Sequence, residues 1–217
     1  MFQSVEMRWF LRIAPFSANS FFSERPEPRT RTDWYAFPCD KRSGVKIREG
    51  NYEVKLQSRN LGEFAPDVPN IPDMQSEQPA GIGRLEEWQK WSVPFPLGDI
   101  PSKPVLAGAG WVPVEKTRRM RLFSVKEGSV RDISADTSIR IENGCQVEYT
   151  ELCAKGEKWW TIGLEAFGRP ELLTENIRTA ANHFFATLMR EVEDDLRGFE
   201  LKNSYGYPAW LKVLDSQ

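Results

Sequence analysis

One histidine, His183, is all the imidazole this sequence holds, which excludes a histidine-rich zinc site and a serine–histidine triad set among strands. Its placement on the flank of an expected helix gives it no acid–base role. The three cysteines, Cys39, Cys145 and Cys153, are an odd number without zinc spacing and read as small hydrophobes. No run approaches the ~18 apolar residues of a membrane span, and the start lacks a basic segment followed by an apolar one. A cytoplasmic protein with no membrane partner is expected. A net charge of −2 lacks the basic excess of a non-specific nucleic-acid binder. Gly81-Ile82-Gly83 lacks the third glycine and the strand-to-helix setting of a dinucleotide site. There is no internal repeat and no low-complexity tract.

What the chain does have is alternation. Successive side chains of a strand point to opposite faces. In Val45 to Gln57, Lys46 and Arg48 share one face with Val45 and Ile47 behind them. After a turn read at Gly50-Asn51, Glu53, Lys55 and Gln57 share a face opposite Tyr52, Val54 and Leu56. Ser4, Glu6 and Arg8 alternate with Val5, Met7 and Trp9. Arg119 and Arg121 alternate with Met120 and Leu122, and Glu148 with Val147 and Tyr149. Glu165 alternates with Leu164 and Ala166. Strands apolar on one face and charged with both signs on the other predict a closed or nearly closed barrel with a polar interior.

Other segments complete the plan. Residues 4–59 read as strand, link, strand and hairpin, the link holding Ser17 to Phe22 and ending at Pro26 and Pro28. Nine of the 15 prolines fall between Asn60 and Pro113, so this stretch is read as an ordered, loop-rich cover without a continuous central strand or long helix, in which Leu85, Trp88 and Trp91 suit a short helical turn or a strand docked on the barrel. Strands are expected at Val114 to Val125, Thr137 to Glu142 and Cys145 to Leu152, the last two joined by a tight Asn143-Gly144 turn. That turn conflicts with the polar parity of the flanking strands. After a Lys155-Gly156-Glu157 turn comes a strand from Trp159 to Phe167. Pro170 starts one long helix, with Leu173, Ile177, Ala180, Ala181, Phe184, Phe185, Leu188, Val192 and Leu196 as its apolar face, and Gly198 stops it after Arg197.

These residues reach a resemblance. Val5-Glu6-Met7-Arg8-Trp9-Phe10, Arg31-Thr32-Asp33-Trp34-Tyr35, Val45-Lys46-Ile47-Arg48 and Tyr52-Glu53-Val54-Lys55 resemble the opening strands of the CYTH superfamily, the triphosphate tunnel metalloenzymes. Lys116-Thr117-Arg118-Arg119, the Glu148 and Glu165 strands and Ser204-Tyr205 follow in matching order. Within the superfamily, Glu87 to Ser92 and the Trp159-Trp160 pair resemble an uncharacterised bacterial branch. The metal half is thinner than the family pattern. The first strand offers Glu6 and Arg8 where two glutamates and a lysine alternate, and Glu148 is followed two positions on by Thr150 in place of a second glutamate.

The fold expected is therefore α+β: an antiparallel, tunnel-like β-barrel with a long C-terminal helix packed outside. The 217 residues are read as one domain with a Pro- and Trp-rich insertion at 60–113. Arg8, Lys46, Arg48, Lys55, Arg119 and Arg121 are the expected phosphate ligands, since guanidinium and ammonium groups suit phosphoryl oxygens. The resemblance implies a bound triphosphate, with Glu6, Glu148 and Glu165 as catalytic, metal-holding carboxylates for Mg²⁺ or Mn²⁺. The expected function is binding of a phosphorylated small molecule, with metal-dependent phosphohydrolysis as its catalytic form. The alternative is a binding module that has lost its metal site. An adenylyl cyclase-like activity is also within the resemblance.

Overall fold

The computed structural model describes residues 1–23, 27–37, 40–67, 81–94, 103–134, 140–191, 196 and 198–216. In chain order the elements are β1 (Phe2–Leu11), α1 (Phe16–Ser23), β2 (Arg29–Ala36), β3 (Ser43–Arg48), β4 (Asn51–Phe64), β5 (Gly83–Pro94), α2 (Lys103–Gly108), β6 (Trp111–Lys126), β7 (Ser129–Asp132), β8 (Gly144–Ala154), β9 (Glu157–Phe167), α3 (Leu173–Glu191) and α4 (Tyr207–Asp215). Eight strands pair antiparallel in the order β2-β3-β4-β5-β1-β9-β8-β6, and β6 returns to β2 over Arg29↔Arg118 to Ala36↔Trp111. The sheet is thus a closed barrel, and closure leaves these strands no open edge. β7 adds only a hairpin to β6.

The alternation read from the sequence is the alternation of the wall. Val5, Met7, Trp9, Val147, Tyr149, Ile162, Leu164 and Ala166 point outward and are buried under α1 and α3. Ile177, Ala180, Ala181, Phe184, Phe185 and Leu188 of α3 are fully buried against them. Each large side chain so covered contributes roughly 1.5–3 kcal/mol. Trp9 is the centre of this layer, with Phe185 and Phe199 edge-on at 5.5 Å and its Nε1 donating to the Ile82 carbonyl at 3.0 Å.

A second core closes one end of the barrel. β1 leaves β5 after Glu6↔Glu86, and Ser204 bridges to Trp9 while the Tyr205 N–H donates to the Arg8 carbonyl at 3.1 Å. That strap delivers α4 across the opening. Trp210, Leu211 and Leu214 then pack on Phe10, Tyr35, Val114, Leu152 and Trp159. Trp210 and Tyr205 each stack on Phe10, at 5.1 and 5.3 Å between ring centroids.

Four expectations need correction. The β3–β4 turn is Glu49-Gly50, one residue earlier than read. Both residues have positive φ, 47° and 81°, as a type I′ hairpin requires, and Lys46 therefore pairs with Glu53. Asn143-Gly144 is no turn: Gly144 is already the first residue of β8, and the Asn143 side chain accepts from the Arg169 N–H at 2.8 Å. The hairpin on this side of the barrel turns at Glu127-Gly128 instead, again with positive φ at both residues. β5 lies within the stretch expected to lack a central strand, and it pairs with both β4 and β1. Between Gly83 and Val93 it contains no proline; Pro94 only ends it. Finally, Pro170 begins a 3₁₀ turn, Pro170–Leu172, and the α-helix proper starts at Leu173. Cys39, residues 137–139, Val192, Arg197 and the prolines 26, 69, 72, 79, 96 and 101 lie outside the described residues.

Candidate functional site: a cation-lined tunnel

The inward faces of the strands enclose a cavity of about 100 Å³ that ends at Tyr207 and Pro208 of α4. From the expected set, Arg8, Lys46, Arg48 and Lys55 line it, as do Glu148 and Glu165. Glu6 lies behind Lys55, whose ammonium it holds. Arg119 and Arg121 are not brought there. They pair with Tyr149 and Val147, which face the outer core, so both arginines lie on the outside of the barrel. Arg121 donates to Asp132 and to the Phe21 carbonyl at 2.7 and 2.9 Å, over the Phe21 ring.

Arg31, Lys90, Lys116 and Arg118 take their place. β6 carries cations on both parities, Lys116 and Arg118 against Arg119 and Arg121, so alternation within that strand does not choose a face. The choice is made by its neighbours. The signal available in the sequence was in β2, where Arg31, Asp33 and Tyr35 alternate with Thr32 and Trp34.

Besides Glu6, three carboxylates organise the cations. Asp33, fully buried in β2, faces Lys116, Lys46 and Arg31 at 3.2, 3.4 and 2.9 Å. Its Oδ1 has no aligned hydrogen bond, so the Arg31 contact is an ion pair by distance alone. Glu53 on β4 receives Lys46 at 3.1 Å, Lys90 at 3.5 Å and Arg48. Glu148 on β8 receives Arg8 at 2.9 Å and Arg118 at 3.1 Å. Arg8 reaches it by lying across Gly163, where any Cβ would collide with the guanidinium. Lys116 also donates to the Tyr35 hydroxyl at 2.6 Å and sits 3.8 Å from the centroid of Tyr207.

The electrostatics follow from this crowding. Burial works to raise the Asp33 and Glu148 carboxyls, but their cations prevail and hold both well below the usual range. Burial lowers Lys46 and Lys116 to about 8 each, although Asp33 pulls both the other way. Glu86, which pairs with Glu6 across β5 and β1, is raised to about 7 by burial and then by Glu6. Glu165, on the other side of Glu6, is raised for the same two reasons.

Mg²⁺ or Mn²⁺ would need several free carboxylate oxygens converging on one point. Among the described residues no three acidic, histidine or cysteine side chains do so. Glu148 is committed to two arginines and Glu6 to Lys55. Both oxygens of Glu6 and both of Glu148 are thus engaged by cations in this arrangement.

No protein-family model matches the chain, and no curated protein matches it in sequence. Among the solved structures similar to it are the following two. The PH1819 protein of Pyrococcus horikoshii OT3 is 15% identical with a TM-score of 0.40, the alignment covering 99% of each chain. A "putative adenylate cyclase" of Bacillus halodurans is 11% identical with a TM-score of 0.38, covering 86% of this chain and 92% of that one. At those scores neither likeness decides the chemistry of this chain.

Proposed function

We propose that the tunnel binds a phosphorylated small molecule, an organic or inorganic triphosphate, and that the chain is a CYTH-like binding module. The observation that carries this reading is charge imbalance. Among the described residues eight lysines and arginines line the cavity against Glu53, Glu148 and Glu165; Asp33, Glu6 and Glu86 adjoin them and the exposed Glu49 reaches Arg31 and Arg48 from outside, which still leaves cations in excess. A confined cation excess is costly unless an anion enters. Polyphosphate oxygens supply that anion and make charge-assisted contacts with both guanidinium and ammonium groups. The motif order that resembles the CYTH superfamily supports the same ligand, since its Arg8, Lys46, Arg48, Lys55, Lys116 and Arg118 all face the cavity.

The commitment of Glu6 and Glu148 to cations favours binding over metal-dependent hydrolysis. Calorimetry with inorganic triphosphate, with and without Mg²⁺, beside a phosphate-release assay tests this. Binding is expected without Mg²⁺, and it weakens as the pH rises through about 8. That is where Lys46 and Lys116 lose their protons, well below the ordinary 10.5. Since the protonated lysines attract the anion, the loss runs toward high pH. Binding that stays flat to pH 10, or that demands Mg²⁺ and ends in released phosphate, would replace this reading with another.

A further inference from the structure

The tunnel's open end carries a second, chemically different surface. Beyond Arg118 and Glu148 the cavity widens into a mouth of about 560 Å³ bordered by Phe2 and Met120. Beside it lies a recess of about 390 Å³ walled by the apolar Phe2, Leu122, Ile141 and Phe167 together with Arg140, Gln146 and Glu165. Phe2, Gln146 and Glu165 belong to both spaces, and Glu165 also lines the cation cavity, so the three are continuous. Phe2 is 43% exposed although it is the first residue of a wall strand.

Resting on the phosphate-binding reading above, we infer that this recess is a specificity subsite for an apolar, ring-sized group joined to the phosphates. The ligand class is therefore an organic phosphate ester, in preference to free polyphosphate. The size of the spaces sets the orientation. The roughly 100 Å³ among the cations is the narrowest of the three spaces and the most densely charged, so it suits the phosphate chain, while the wider recess suits an organic body. The recess is within the ~300–1,000 Å³ of small-molecule pockets and is walled mainly by apolar side chains. A ring seated between Phe2 and Leu122 lies at an end of the cavity that α4 does not cover, so the phosphates enter first and the body stays at the mouth. The Gln146 carboxamide, which lines the recess, offers an NH₂ donor group and a carbonyl acceptor to polar atoms of the bound group.

Affinities of inorganic triphosphate and phenyl triphosphate, measured by calorimetry on the full chain, test the subsite. The wild type is expected to bind the phenyl ester about tenfold tighter, the gain from burying part of one ring. Phe2→Ser and, separately, Leu122→Asn should remove that advantage while leaving inorganic triphosphate within about twofold. Equal affinity of the wild type for the two compounds would overturn the subsite and leave the phosphate tunnel standing. An equal loss for both compounds in the Phe2 variant would do the same. Failure of the wild type to bind either compound would overturn both readings.

Discussion

Asp33 shows how one side chain decides the interior. Its strand contributes Arg31 and Tyr35 to the same face, and the three cations around it come from β2, β3 and β6. From the sequence, Asp33 lies in a segment that resembles a strand of the CYTH superfamily, while an aspartate at a strand start is also common as a turn or capping group; in the barrel it is the fully buried counter-ion on which Lys46 and Lys116 depend. Removing one partner of such a cluster costs far more than the net worth of the pair, because the others stay buried and uncompensated. Asp33→Asn is expected to destabilise the fold by about 3–5 kcal/mol at pH 7 in urea unfolding. The pH dependence has a definite sign. A carboxyl held below its ordinary 3.8 in the folded state contributes its full stability above that value and loses it as the pH falls further. The gap between wild type and variant should therefore narrow only below about pH 4. A gap that closes already between pH 7 and 5 would mean that Asp33 is not held ionised by its cations.

At the scale of elements, parity was legible wherever a strand carried charge on one face only. Glu6, Arg8, Lys46, Arg48, Glu53, Lys55, Glu148 and Glu165 were all assigned to one shared polar face by alternation, and the barrel wall turns that face inward. β6 was not legible, because Arg118 and Arg119 are adjacent and only pairing with β8 separates inside from outside. Nor was β5, since the prolines that bracket it looked like interruptions. The hairpins turn at Glu49-Gly50, Glu127-Gly128 and Lys155-Gly156, where a charged residue precedes glycine. The Asn-Gly pair, the stronger turn signal, was used instead to fix Arg169.

α4 is the element the sequence least revealed: a short C-terminal run whose aromatic residues close the barrel. Trp210, with no exposure, lies against Phe10, Trp159 and Tyr207. Trp210→Ala is expected to cost about 3–5 kcal/mol in thermal or urea unfolding. It should also loosen Tyr207 and Pro208 at the cavity floor. A cost under 1 kcal/mol would show that the end of the barrel is closed by something other than this contact.

The whole molecule separates two cores by one wall. Outside, α1 and α3 cover an apolar sheet face; inside, ion pairs fill a tunnel that α4 stops at one end. Such a wall makes the two faces of β6 chemically opposite although they alternate residue by residue. Arg118 points into the tunnel and shares Glu148 with Arg8, whereas Arg119 lies on the outer face opposite Tyr149. The central claim, that the inward cations bind phosphate, is tested most directly by this adjacent pair. Calorimetric titration of inorganic triphosphate into the wild type, Arg118→Ala and Arg119→Ala should show a loss of roughly tenfold or more for Arg118, the worth of one charge-assisted contact. For Arg119 the affinity should stay within about twofold. Equal losses in the two variants, or no binding by the folded wild type, would contradict it.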